Sequence, residues 1–229
     1  MSEDYVTLMA SLPALGPMLA AKHAPINRDR LEARLAMLCP EHRREVSEVA
    51  GLLVWSQIPS RETDAAMVLR ARWLVPRLSS ATLVDLVRGR MEIRTLVAAL
   101  RRRHAGEEAP RHDALWGYGR FVRRIRENWG QPDFAVGTPF PWVLRAKDRL
   151  ERGDATGLER IVLEAAWKQA DWLATRHAFD FEAVALYVVR WNLLDRWTRY
   201  DAEAAASRFA AMVDAAYAAR PDSLKESLA

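Results

Sequence analysis

The sequence predicts an all-α fold: a multi-helix bundle built from two helical halves. Three observations lead there. Alanine, leucine, arginine and glutamate dominate, whereas Gly (10) and Pro (11) are modest, so helix formers abound and few turn residues remain for a strand-rich fold. Apolar residues recur at helical spacing between recognisable start and stop signals. Half of the 229 residues are hydrophobic, ample for a packed core in one large domain or two small ones.

Start signals order the first half. Asn27 is expected to cap a helix through Leu38 with apolar positions Leu31, Leu35 and Leu38, and Pro40 occupies a favoured first-turn position for a helix from Glu41 to Gln57. These two should form a helical hairpin. Ser60 should begin an arginine-bearing helix that Pro76 ends or kinks, and Ser80 another, which Gly89 is expected to divide before a helix to His104. The run AGEEAPRH, 105 to 112, reads as the internal linker. It separates an N-terminal half, 1–106, from a C-terminal half, 107–229.

Beyond it, helices are expected near 113–129, 140–152, 156–176, 180–199 and 201–219. Thr156 with Glu159 matches a capping box, and Asp180 and Asp201 are cap residues by type. WGQPDFAVGTPFPW, 129–142, is the one long irregular stretch, read as a rigid connector in preference to a lid. Seven of nine tryptophans (116, 129, 142, 167, 172, 191 and 197) follow the linker. Large aromatics point to core, each buried indole requiring an acceptor for its N–H. The segment 179–197 is apolar nearly all round its helix, which places it at the bundle centre. There Arg190, Asn192, Asp195 and Arg196 need partners or an exposed edge, with Asp195 and Arg199, and Arg196 and Tyr200, at pairing distance along the helix.

Charge is concentrated, not pervasive. The chain carries a formal +4 with a pI near 9.5, which permits an anionic partner without requiring one. Residues 88–126 hold eleven arginines against four acids. The stretch RGRMEIRTLVAALRRRH, 88–104, wraps a stripe of Met91, Leu96, Val97 and Leu100 in arginine, and Arg120, Arg123, Arg124 and Arg126 should line one side of a helix bearing Phe121, Ile125 and Trp129. Arg101, Arg102, Arg103, Arg120, Arg123 and Arg124 are therefore the candidate interaction residues. A solvated helix face, a protein-docking face and phosphate contacts with nucleic acid are the three readings of this charge. No recognised nucleic-acid module accompanies it, which makes nucleic acid the less favoured partner.

Enzyme signatures are absent from the linear sequence. His23, His42, His104, His112 and His177 are scattered, with neither HExxH nor a histidine pair four residues apart. His104 and His112 read as surface residues. A single cysteine, Cys39, excludes an intramolecular disulfide and a multi-cysteine zinc site. Placed before a helix-start proline, it reads as a small apolar junction residue sooner than as a nucleophile. GYGR, 117–120, lacks the length and lysine of a phosphate loop. No catalytic, cofactor or metal residue is assigned. The N-terminus has Glu3 and Asp4 before its apolar part and prolines at 13 and 17, unlike a signal peptide. The longest apolar run elsewhere, Ala183 to Val189, is seven residues, far short of the roughly 20 that span a bilayer.

MEIRTLVAALRRRHAG, 91–106, resembles a helix of the C-type subunits of V/A-type ATPases (d-type in eukaryotic enzymes), with Glu92 to Leu96 followed by Leu100, Arg101, Arg103 and Gly106. YVTLMASLPAL, 5–15, and FDFEAVALYVVRWNLLDRWTRYDAEAAASRF, 179–209, resemble an uncharacterised bacterial family encoded in V-type ATPase gene clusters. The resemblance implies a non-catalytic component of a rotary ATPase, similar to the funnel-shaped socket that seats the central stalk on the membrane rotor ring in proton or ion transport. Its implied partners are central-stalk and membrane-ring subunits, and its implied place is the cytoplasm, peripheral to the inner membrane. The chain differs from the C-type socket proteins in being shorter and in showing no clear threefold repeat. A helical nucleic-acid or regulatory adaptor using the same arginines is the alternative.

Overall fold

The computed structural model describes residues 2–53 and 63–218, with side chains described for 5–53 and 63–199. Among these the fold is all-α, without strands: α1 (Ser2–Ser11), α2 (Arg28–Leu35), α3 (Pro40–Leu53), α4 (Asp64–Leu74), α5 (Ala81–His104), α6 (Val122–Glu127), α7 (Val143–Glu151), α8 (Ala155–Ala174) and α9 (Phe181–Ala218). No described helix is long and apolar enough to cross a membrane.

Caps set several starts. Asn27 accepts from the Arg30 N–H, Ser80 from Thr82 and Asp180 from Ala183, each satisfying a backbone donor that the first helical turn leaves unpaired. Pro40 opens α3 as expected. Pro76 falls just beyond α4, in a tight 3-10 turn, Val75–Arg77. Ser60 and the end of the expected 41–57 helix lie outside the described residues, and Thr63 caps α4 through the Ala66 N–H.

Five local expectations are overturned. First, α5 runs unbroken through Gly89, because α8 packs so closely there that the glycine leaves room for Gln169. Second, the helix expected over 113–129 shrinks to α6. Residues 116–120 are instead pinned to α5, where Thr95 Oγ1 accepts from the Tyr118 N–H at 2.8 Å. Third, α9 is continuous where a break near 200 was expected. No glycine or proline interrupts 181–218, and aspartate inside a helix costs only about 0.7 kcal/mol relative to alanine, so Asp201 does not act as a cap. Fourth, Asp154 displaces the Thr156–Glu159 capping box by accepting from the Gly157 N–H at 2.7 Å, and Glu159 pairs with Arg196 instead. Fifth, Trp172 is not core: it is 57% exposed.

The hydrophobic core is continuous across the 105–112 connection, joining Leu8, Val49 and Leu86 to Leu163, Val184 and Trp191. Helix α8 lies between α5 and α9, with α7 against α5 and α8 and with α1 and α3 on α9. Trp191 is 1% exposed and donates its indole N–H to the Ile26 carbonyl at 2.8 Å. The four polar residues of 179–197 singled out above all find partners: Arg190 pairs with Asp171, Arg196 with Glu159, Asp195 with Arg199 and Arg28, and Asn192 bonds Arg28 and the Val188 carbonyl. The side chain of Tyr200, the expected partner of Arg196, lies outside the described residues.

The irregular stretch 129–142 is held from within and from α5. Asp133 accepts from the Ala135 and Gly137 N–H groups, while Phe134 (φ 55°) and Ala135 (φ 57°) adopt left-handed backbone. Such conformations cost non-glycine residues about 1 kcal/mol or more, and the burial of Phe134 and Val136 offsets that cost.

Candidate functional site

A cleft of about 990 Å³ opens between α5 and α8, closed at one side by residues 118–120 and 139–145. Two glycines let the 117–120 run lie against α5. A Cβ on Gly117 would overlap Thr95, and one on Gly119 (φ 105°) would overlap Glu92. The Arg120 N–H and Nε then both donate to Glu92 Oε1, at 3.3 and 3.1 Å. The Glu92 side chain is 7% exposed and that of Arg120 78%, so an exposed arginine neutralises a buried acid.

The cleft combines cations with aromatic walls. Phe140 packs edge-on to Phe121 and Trp142, and the exposed Trp172 ring carries the Arg176 guanidinium 4.0 Å above it. Lys168 Nζ bonds Glu164 at 2.7 Å, and that bond, with added pull from Lys168 and Arg145, holds the Glu164 carboxyl below the usual range. Arg88 and Arg145, which also line the cleft, make no hydrogen bond or ion pair among the described residues. Gln169 donates its amide N–H groups to the Asp85 and Leu86 carbonyls at 3.1 Å each, and its buried Oε1 has no partner among the described residues.

The six arginines singled out by the sequence do not share one face. Arg120 lines this cleft. Arg123 and Arg124 lie on α6 and are exposed; Arg123 bonds Glu127 at 2.7 Å, which raises its pKa, and Arg124 has no partner for its guanidinium among the described residues. Arg120 precedes α6, so the expected single helical side of Arg120, Arg123, Arg124 and Arg126 does not form. Arg103 turns inward, donating to the Trp129, Gln131 and Pro132 carbonyls with its guanidinium 4.0 Å over Phe134. Burial is the main cause that lowers its pKa, with Glu151 and Asp133 opposing.

Arg101 and Arg102 border a second recess of about 430 Å³ between α5 and α8, reached also by Asp64 of α4 and Arg196 of α9. Arg94 and Arg102 share Asp64 at 3.5 and 3.8 Å. One turn earlier, Arg90 is buried, and desolvation, then repulsion from Arg94, pulls its pKa down to about 10.

One titratable cluster was not assembled from the sequence, which offered His177 as one of five scattered histidines and Asp180 as a cap residue. His177, Asp180 and Glu182 bring potential ligand atoms within 4.8 Å of one another. His177 Nδ1 meets Asp180 at 2.7 Å and Nε2 meets Thr82 Oγ1 at 2.9 Å, so both ring nitrogens already tie the α8–α9 turn to the start of α5. The spacing His-x-x-Asp-x-Glu was its visible signal. Of the other histidines, His42 is hydrogen-bonded to Tyr5 and stacks on Phe181 at 3.9 Å, while His104 and His112 are exposed, as is Cys39.

No protein-family model, curated protein or solved structure matches this chain.

Proposed function

We propose that this chain is a docking component of a V/A-type rotary ATPase, seated between the central stalk and the membrane rotor ring. The observation that carries the docking role is the cleft whose lining includes exposed Trp172 together with Arg88, Arg120 and Arg145. Tryptophan and arginine are the residues on which protein interfaces most often concentrate their binding energy. Two of these guanidinium groups, those of Arg88 and Arg145, have no hydrogen-bond or ion-pair partner among the described residues. An acidic segment with an apolar anchor complements such a surface.

The rotary-ATPase part rests on the resemblance of residues 5–15, 91–106 and 179–209. Two of those segments pack together: α1 lies on α9, and Tyr187 donates its hydroxyl to the Pro13 carbonyl at 2.9 Å. In this reading the chain works by shape and charge, without a cofactor or a metal of its own. It sits on the cytoplasmic side of the inner membrane and is held there through its partners.

Affinity purification of the tagged protein from native membranes in mild detergent tests this reading. Stoichiometric recovery of rotor and stalk subunits supports it. Recovery of nucleic acid instead, with binding that falls steeply as salt rises, would replace it with a helical nucleic-acid or regulatory adaptor.

A further inference from the structure

We infer that the smaller recess between α5 and α8 is a binding site for the phosphate group of a phosphorylated ligand. This does not depend on the rotary-ATPase reading. Four guanidinium groups, of Arg94, Arg101, Arg102 and Arg196, border the recess, against the two carboxylates of Asp64 and Glu159. The acids are already used. Glu159 is bonded by both Nε and Nη2 of Arg196 at 2.8 Å. Asp64 is divided between Arg94 at 3.5 Å and Arg102 at 3.8 Å, both longer than a close charge-assisted hydrogen bond of about 2.7–2.9 Å.

Two donors are left over. The Arg101 guanidinium has no partner among the described residues, and Arg94 Nε is buried without an acceptor among them, an unfavourable state unless something fills it. Arg102 is also paired with Glu107 at 3.6 Å from outside the recess, so the positive excess is one charge. Four guanidinium groups around one recess still offer more donors than the two oxygens of a carboxylate take up, and the three terminal oxygens of a phosphate fit them better. Guanidinium forks pair phosphate oxygens two at a time. The other walls, Val97, Leu158 and Val162 among them, are apolar, and a low local dielectric strengthens such contacts. At about 430 Å³ the recess has the size of a small-molecule site. A soluble phosphate ester or diphosphate and a phospholipid headgroup present the same chemistry to it.

Calorimetric titration of the full chain with pyrophosphate tests the inference, alongside flotation with phosphatidylcholine vesicles with and without a phosphatidylinositol phosphate. Saturable binding to one site is expected. It should weaken about tenfold or more in Arg101→Glu and measurably in the milder Arg101→Gln, which guards against a folding defect. Arg124→Glu, the same charge change on α6, should leave affinity within about twofold. Pyrophosphate binding without vesicle binding identifies a soluble ligand. Vesicle binding that needs the phosphoinositide and Arg101 identifies a headgroup. Absence of saturable binding to either probe, or equal loss in the Arg101 and Arg124 variants, overturns the site.

Discussion

Gly89 and Gln169 are built for one another: the glycine leaves the space in which the Gln169 amide reaches two α5 carbonyls, and a Cβ on residue 89 would overlap that amide nitrogen. In an isolated helix, Gly→Ala would stabilise by about 1 kcal/mol. Here the methyl displaces an amide whose two hydrogen bonds contribute about 0.5–1.5 kcal/mol each. Gly89→Ala is therefore expected to destabilise the protein by about 1 kcal/mol in urea unfolding. In a Gln169→Ala background the same change should turn neutral or stabilising, and a cycle of these variants reads the coupling directly.

Arg103 braces the 129–142 connector through three carbonyls and the face of Phe134. Arg103→Ala should lower stability by about 2–3 kcal/mol, since charged hydrogen bonds contribute about 1.5–3 kcal/mol each and part of the loss relaxes. Arg103→Lys should recover little, because an ammonium cannot reproduce the planar fork or the stacking. Hydrogen exchange should rise across 129–137 in both variants. Protection unchanged in Arg103→Ala would remove the bracing role.

Burial pushes the Tyr187 phenol up to about 12, with Arg34 and Arg190 opposing. The folded pKa exceeds the ordinary value of about 10, so this group's contribution to stability is complete below pH 10 and is lost as pH rises from 10 through 12. In ultraviolet titration, the difference between wild type and Tyr187→Phe should show a tyrosinate midpoint near 12; a midpoint near 10 would mean that the hydroxyl is solvated.

Starts fixed by one side chain and a nearby backbone N–H were legible in the sequence, as Asn27, Ser80 and Asp180 illustrate. The all-α class followed from composition and periodicity. What misled was punctuation whose meaning is set by distant residues. Gly89 reads as a break until α8 is laid against it, and residues 116–120 read as helix until Thr95 and Glu92 claim their backbone. Proximity along the chain likewise suggested one arginine face. At helical spacing neighbouring arginines diverge: Arg101 and Arg102 border the smaller recess, Arg102 pairing with Asp64, whereas Arg103 turns the other way onto Phe134. The Thr82–His177 contact joins residues 95 positions apart, beyond any local pattern.

Trp172 is where docking through the cleft is most open to test. A photoreactive amino acid at position 172, with irradiation in native membranes, would mark whatever covers the cleft. The expected result is adducts to an acidic segment of a rotor or stalk subunit, lost when Arg88 and Arg145 are both changed to glutamate. Recovery of those subunits with no adduct at position 172, and undiminished by the double change, would contradict docking through this cleft.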